Sequence, residues 1–291
     1  MESEKLSKRN YNTISPSARS LLFMKGYTDI PFARRAAELM LFPEKYEPDF
    51  ERTEMTFWAR LVHFENRYRT IDQFLDGLSI KNILEISSGF SFRGLETSKQ
   101  KGIHYIDTDL PDVIASKNDF IDILKEENTE REGVLELLPL NALDEKQFRD
   151  IVNRFPEGEI AIVNEGLMMY LDMPEKEKLC QIIHSVLKER GGYWITADIY
   201  IRKQNENLGL KFDNTTKEFF EQHKIEDNKF ESFEEAKAFF NRMGFSVDQE
   251  ASVSRNDLSS MQYFLKNVSI SELSKIHQTA KIQATWRLNV S

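Results

Sequence analysis

The sequence predicts an α/β protein: a doubly wound, mostly parallel seven-stranded sheet that carries an N-terminal helical cap. Three observations lead there. Asn82–Asp112 reads as strand, tight turn, helix and strand. From Lys81 onward, apolar runs of strand length alternate with helical patterns, as in a parallel sheet covered on both faces. Residues up to about Leu78 show helical spacing and no strand alternation.

Taken in order, Ile30–Phe42 and Glu54–Leu75 are the cap helices, the second with Trp58, Leu61, Val62, Ile71 and Leu75 at helical spacing. Ile83, Leu84 and Ile86 form the first strand, and Ser87-Ser88-Gly89 is a turn of small residues where a ligand can approach the backbone. A helix from about Gly94 to Lys101 follows, and the second strand starts at His104 and ends at Asp107–Asp109. After Pro111, Val113, Ile114, Ile121 and Leu124 share one helical face. Val134–Leu138 and Ile160–Asn164 are the third and fourth strands.

The helix from about Pro174 to Arg190 has Leu179, Ile182, Ile183, Val186 and Leu187 in register and stops at Gly191-Gly192. Tyr193–Asp198 is the fifth strand. The polar segment Ile199–Glu231 interrupts the rhythm, and its length marks it as a lid. Ser232 with Glu235 offers a capping box to a helix carrying Phe233, Ala236, Phe240 and Met243, closed by Gly244. Phe245–Val247 begins a sixth strand, Ser269–Lys281 has helical character, and Ala284–Val290 is the last strand. The chain therefore divides as one domain: cap 1–78, core 79–198, lid 199–231 and C-terminal part of the sheet 232–291.

Composition narrows the function. Lys and Arg number 39 against 48 Asp and Glu, a net charge of −9 that argues against nucleic acid and anionic membranes as partners. No apolar run approaches a membrane span, and MESEKLSKRN lacks the apolar core of a secretory signal, so a cytoplasmic location is expected. The single cysteine, Cys180, leaves no internal disulfide and suits a reducing compartment. His63, His104, His184, His223 and His277 show no metal-ligand spacing, so no metal is expected. The 21 Phe fit an aromatic-walled cavity or cap as well as an ordinary core.

Asp109 stands 20 residues after Gly89, where this architecture sets a carboxylate against a ribose hydroxyl pair. A dinucleotide loop would place glycines at 87, 89 and 92; this chain has Ser87, Gly89 and Phe92, which disfavours NAD or FAD. S-adenosylmethionine has no phosphate, and Glu85, two residues before the turn, suits a ligand with an ammonium and a sulfonium. The competing reading is a strand–helix–strand unit without a ligand. The third strand runs into Leu140-Asn141-Ala142, where a short polar side chain can hold an adenine amine. The fourth releases Glu165, Gly166 and Tyr170 together at the sheet's ligand-binding edge, although Glu165 also suits the start of a helix.

Larger motifs add to this reading. ILEISSGFSFRGLE matches a glycine-rich hhE-x-G-x-G-x-x-x-R loop, YIDTDLPDV a D-L-P motif, and VNEGLMMYL an E-G-hhh-Y-L motif. Upstream, ARSLLFMKGYTDIPFA and ENRYRTIDQFL look like cap elements of the form Y-x-D-P-hh and R-x-R. From about Ala18 to Phe245 the chain resembles the leucine carboxyl methyltransferase family, including its bacterial branch of polyketide O-methyltransferases. The resemblance implies a Rossmann-like class I methyltransferase with S-adenosylmethionine as cofactor. It implies that Arg67 salt-bridges the methionine carboxylate, with Arg19 as a second basic cap residue. Asp109 would hold the ribose, Leu110 would pack on the adenine, and Glu165 would face the amino acid part. Asn141, followed by Ala142, stands where the family usually has aspartate near the adenine amine, and Ser87 replaces the first glycine of the loop.

The expected function is methyl transfer from S-adenosylmethionine to an oxygen, carboxylate or hydroxyl, of a small molecule. Tyr170 is the candidate catalytic residue, with a core aromatic as its alternative reading. No histidine follows a core strand motif, which favours an acceptor that needs no base, a carboxylate or an acidic phenol. Two other classes stay open: a non-catalytic S-adenosylmethionine-binding protein, motivated by Ser87 and Asn141, and an NAD-dependent oxidoreductase. The sequence sets neither the acceptor nor the oligomeric state.

Overall fold

The computed structural model describes residues 15–127, 132–202, 218, 221–273 and 281–291. Helices α1 (Ser15–Lys25), α2 (Ala33–Leu41) and α3 (Met55–Asp76) come first. Then follow β1 (Asn82–Ile86), α4 (Arg93–Thr97), β2 (His104–Asp109), α5 (Pro111–Glu127), β3 (Val134–Pro139), α6 (Glu145–Val152) and β4 (Ile160–Asn164). The chain continues through α7 (Met173–Arg190), β5 (Gly192–Tyr200), α8 (Phe233–Arg242), β6 (Phe245–Glu250), α9 (Met261–Asn267) and β7 (Gln283–Val290).

The seven strands form one sheet in the order β3-β2-β1-β4-β5-β7-β6. Strands β1 to β5 pair in parallel, and β7 runs antiparallel to both β5 and β6. From β1 the chain moves outward to β2 and β3, then returns to β4 on the other side of β1 and continues to β5. That reversal opens a crevice at the carboxyl ends of β1 and β4, the standard position for a ligand in such a sheet.

Strand alternation sets the two faces. Leu84, Ile106, Ile162 and Trp194 meet Phe148, Leu179, Ile183 and Phe240 from α6, α7 and α8. Their strand neighbours Ile83, Tyr105, Val163 and Ile195 pack instead on Ile71 and Phe74 of α3. Each such fully buried large apolar side chain contributes about 1.5–3 kcal/mol. Helix α3 is thus part of the main core. Its opposite flank buries Trp58 and Leu61 against Met261 and Phe264 of α9. There the Glu65 carboxylate accepts from the backbone N–H groups of Ser259 (2.7 Å) and Ser260 (2.9 Å), fixing the start of α9. Helices α1 and α2 are tied in through Leu22, Ala36 and Ala37, which share a cluster with Phe92, Leu95, Ile121 and Leu124.

Several elements differ from expectation. Helix α4 stops at Thr97, well before Lys101: the Ser98 hydroxyl bonds back to the Leu95 carbonyl (3.2 Å), and Gly102 turns the chain into β2 at φ 77°. Helix α6 was not expected, although Asp144 caps it by accepting from the Gln147 N–H (3.0 Å). Ser232 caps α8 by accepting from Glu235 N–H (3.1 Å), but the Glu235 carboxylate accepts from Glu231 N–H (2.6 Å), so the expected reciprocal box is only half present. Strand β5 extends to Tyr200, two residues past the expected end, and β6 extends to Glu250. Of the segment expected to form a lid, residues 203–217 and 219–220 lie outside the described residues, as do residues 274–280 of the helical stretch expected near the C-terminus. Among the described residues, no helix is long and apolar enough to cross a membrane.

Candidate functional site

A cavity of about 630 Å³ lies at the carboxyl ends of the parallel strands, roofed by α1 and α3. On the sheet side its wall starts at the loop after β1. Ser87 and Gly89 both adopt φ 53°, a left-handed conformation that glycine tolerates and serine does not favour. A Cβ on Gly89 would come within 3.3 Å of Ala18 Cβ, so α1 lies directly on this loop.

The Gly89 N–H donates to Asp109 Oδ2 (2.7 Å), and the Leu110 N–H donates to Oδ1 (2.7 Å). Each carboxylate oxygen accepts one of these bonds, and an ionised carboxylate has about four acceptor positions, which leaves capacity for a ligand. Burial raises the Asp109 carboxyl above the ordinary range, opposed by the two backbone donors. Leu110, Val113, Leu140, Ala142 and Leu143 supply apolar lining. Asn141 lines the same stretch, its Oδ1 accepting from Leu143 N–H (3.1 Å).

Asp107 sits two residues before Asp109 but outside the cavity. It pairs with the fully buried Lys117 (2.6 Å), whose ammonium also donates to Ser88 Oγ (3.0 Å). Burial raises the Asp107 carboxyl to about 6, with Lys117 opposing.

The cap side is built from long charged side chains. Ala18, Leu21, Leu22 and Lys25 form one stripe of α1, and Arg60, His63, Phe64 and Arg67 form one stripe of α3. Both stripes converge on Glu165, just past β4. Its carboxylate accepts from Lys25 (2.9 Å), Arg67 (3.1 Å) and Arg93 (3.4 Å). Burial alone would raise Glu165; the three cations outweigh it and hold the carboxyl well below the usual carboxylate range. The Lys25 amine is lowered by burial, with Glu165 only partly compensating.

Neighbouring groups fix this cluster in place. Asp198 accepts from the backbone N–H groups of Gly166 (2.6 Å), Leu167 (2.7 Å) and Met168 (3.1 Å), which holds the loop carrying Glu165. A Cβ on Gly166, at φ 84°, would stand 3.2 Å from Arg67 Nη2. Arg67 Nη1 also donates to the Tyr200 hydroxyl (2.9 Å), which lies 2.8 Å from His63 Nε2. Burial pushes the Tyr200 phenol up to about 12, with Arg67 opposing.

Of the residues singled out from sequence, Arg67, Ser87, Gly89, Asp109, Leu110, Asn141, Ala142, Glu165 and Tyr170 all line this cavity. The Tyr170 hydroxyl bonds to Ser17 Oγ (3.2 Å), joining the loop after β4 to α1. Two others do not line it. Glu85 is buried beneath the site, where it accepts from Arg93 (2.6 Å) and the Tyr105 hydroxyl (2.6 Å) and does not face the cavity. Arg19 is exposed, its guanidinium 5.6 Å from the Phe23 ring.

Lys25, one turn beyond Leu21 on the inward stripe, joins Arg67 at Glu165 where Arg19 does not. Sequence reasoning also missed His63 and Tyr200. His63 lies four residues before Arg67 on the same helical face, and Tyr200 ends β5 as Glu165 follows β4. No histidine follows a core strand motif, but His63 enters the cavity from α3. Among the described residues, no group of three or more His, Cys, Asp or Glu could hold a metal ion.

No family model matches the sequence, and no curated protein matches it. Solved structures do. The magnesium protoporphyrin IX methyltransferase ChlM from Synechocystis, with bound SAH, aligns over 92% of this chain and 98% of its own, at TM-score 0.50 and 7% identity. The mitomycin 7-O-methyltransferase MmcR aligns over 80% of this chain and 57% of its own, at TM-score 0.48 and 11% identity. The methyltransferase domain of bacterial CtHen1-C aligns over 78% and 99%, at TM-score 0.49 and 13% identity. This chain thus spans little more than half the length of MmcR. At TM-score 0.50 and 7% identity, the likeness to ChlM shows the fold: the Rossmann-like sheet of class I methyltransferases.

Proposed function

We propose that this chain is an S-adenosylmethionine-dependent O-methyltransferase of a small molecule, of the leucine carboxyl methyltransferase type. It works as one domain, in which α1 and α3 of the cap roof the core and β6 and β7 complete the sheet. One observation carries this reading. A single cavity has a carboxylate held by backbone donors on its sheet side and a buried cluster of two lining cations and one carboxylate on its cap side.

The residues fit the cofactor. Asp109 suits a pair of ribose hydroxyls, and Leu110, Val113, Leu140 and Ala142 suit the adenine, with Asn141 beside them. Lys25 and Arg67 suit a carboxylate, and Glu165 suits an ammonium. When bound, S-adenosylmethionine supplies an already activated methyl group. The protein's own contribution is then to hold the acceptor in contact with it and to exclude water. Tyr170, hydrogen-bonded to Ser17 of α1, would orient the acceptor.

Calorimetric titration with S-adenosylmethionine, S-adenosylhomocysteine and NAD tests the reading, and binding of NAD but neither adenosyl compound would overturn it. Labelled-methyl transfer to a panel of phenols and carboxylic acids then separates an enzyme from a protein that only binds the cofactor.

A further inference from the structure

We propose that Tyr200 and His63 form a proton relay that accepts the proton of a hydroxyl acceptor, so that the part of the cavity beside this pair is a site for a phenol or alcohol. This deepens the methyltransferase reading and rests on it. A guanidinium can only donate, so the Tyr200 oxygen accepts from Arg67 Nη1 at 2.9 Å. The phenol's own hydrogen then needs an acceptor, and His63 Nε2 lies 2.8 Å away. In the relay that hydrogen goes to Nε2, which takes the neutral ring with its proton on Nδ1. The chain then runs from Arg67 through Tyr200 to His63.

Both Tyr200 and His63 line the cavity, and Arg67 stands ready to stabilise negative charge on the Tyr200 oxygen. Phe64, Met169 and Ile201 line the cavity too, apolar surface that suits an organic body around the reacting hydroxyl.

The step balances. The acceptor O–H bond breaks and its proton passes to the Tyr200 oxygen, while the Tyr200 proton passes to His63 Nε2. The freed electron pair on the acceptor oxygen forms the new bond to the methyl carbon, and the pair of the breaking C–S bond stays on sulfur. A neutral imidazole and a sulfonium become an imidazolium and a thioether, with one positive charge on each side. A carboxylate acceptor has no proton to lose at neutral pH and would leave the relay without a task.

Two measurements on the whole protein test this. In ¹⁵N-histidine spectra of the wild type, His63 should show an unprotonated Nε2 and a protonated Nδ1; the opposite tautomer overturns the relay. The second probe is 4-nitrophenol, added with saturating S-adenosylhomocysteine and read by its phenolate absorbance near the pH of its own midpoint. The bound probe should be mostly phenolate in the wild type. In His63→Gln the phenolate-to-phenol ratio should fall about tenfold or more, with Tyr200→Phe in the same direction. An equal ratio in wild type and His63→Gln overturns the relay, as does failure of 4-nitrophenol to bind a protein that binds S-adenosylhomocysteine. Failure of the wild type to bind S-adenosylhomocysteine would instead remove the methyltransferase reading beneath it.

Discussion

The two walls of the cavity are made of different material. From Ser87 to Ala142 the sheet-side wall is loop backbone and short side chains, and its polar contacts stay on neighbouring strands, as when Asp109 accepts from Leu110 and from Gly89. The cap-side wall draws long charged side chains from α1, α3 and the loop after β4 that meet at Glu165, where Arg93 of α4 joins them from outside the lining. The first wall positions a ligand by the shape of the chain. The second positions it by a balance of buried charges, in which Glu165 is the common anion of three cations. Stability should therefore be concentrated in the cap-side wall, and tolerance in the sheet-side wall.

The largest effect expected is at Glu165. Glu165→Ala leaves Lys25, Arg67 and Arg93 without their common anion in a buried site, and should destabilise the fold by about 3–5 kcal/mol in denaturant titration. The same carboxylate sets an acid limit. Its pKa is depressed in the folded protein, so its contribution is complete above the ordinary carboxylate range and is lost as pH falls below it. Stability should decline on that acid side, and Glu165→Gln should make the decline shallower. A Glu165→Ala protein as stable as wild type would show that the charged wall is decoration.

Next come two aspartates on one strand, which sharpen the contrast. Asp107→Ala leaves Lys117 buried and unpaired and should cost about 3 kcal/mol of stability or more. Asp109→Ala should leave stability nearly intact and weaken S-adenosylhomocysteine binding by roughly 1.5–3 kcal/mol, measured by calorimetry. If Asp107→Ala spares stability while damaging binding, and Asp109→Ala is silent, the ribose assignment belongs to the wrong aspartate.

Arg67 tests the cap-side wall from its cationic side. Removing one of three cations leaves Glu165 with Lys25 and Arg93, so Arg67→Ala should cost less stability than Glu165→Ala. It should weaken S-adenosylhomocysteine binding by about 1–3 kcal/mol. Arg67→Lys keeps the charge but cannot reach Glu165 and Tyr200 with the same fork, so its affinity should fall between those of Arg67→Ala and wild type.

The contrast between walls also explains what was legible in sequence. The strand runs, the Ser87–Gly89 turn and Asp109 are encoded by short spacing along the chain, and they were readable together with most of the sheet-side wall. Arg67 was reached only through a family motif. Lys25, His63 and Tyr200 belong to elements that meet only in the fold, so no local spacing announces them. Glu85 was misread for the same reason. Its place before the turn is visible in sequence, but the Arg93 and Tyr105 that occupy its carboxylate are 8 and 20 residues away. Arg19 was misread by one step of helical phase, since it adjoins the inward-facing Ala18. Helix α6 is different: the Asp144 cap and the spacing of Phe148, Ile151 and Val152 were in plain view.

The smallest effect expected is at Ser87, and it bears directly on how tolerant the sheet-side wall is. Ser87 stands at φ 53°, where a Cβ costs about 1–2 kcal/mol, while glycine meets no such penalty. Glycine also loses more backbone entropy on folding, about 0.5–1 kcal/mol, which offsets part of that relief. Ser87→Gly should therefore be neutral or stabilise the protein by up to about 1 kcal/mol in denaturant titration. Ser87→Val puts a β-branched residue at the same angle and should lower stability instead. Cofactor binding should survive Ser87→Gly, because the nearest polar contacts of this loop run through Ser88, whose N–H bonds to Thr108, and through Gly89, not through the Ser87 side chain. A Ser87→Gly protein that folds as well as wild type but no longer binds S-adenosylhomocysteine would show that the Ser87 hydroxyl contacts the cofactor. The sheet-side wall would then depend on a specific side chain, as the cap-side wall does.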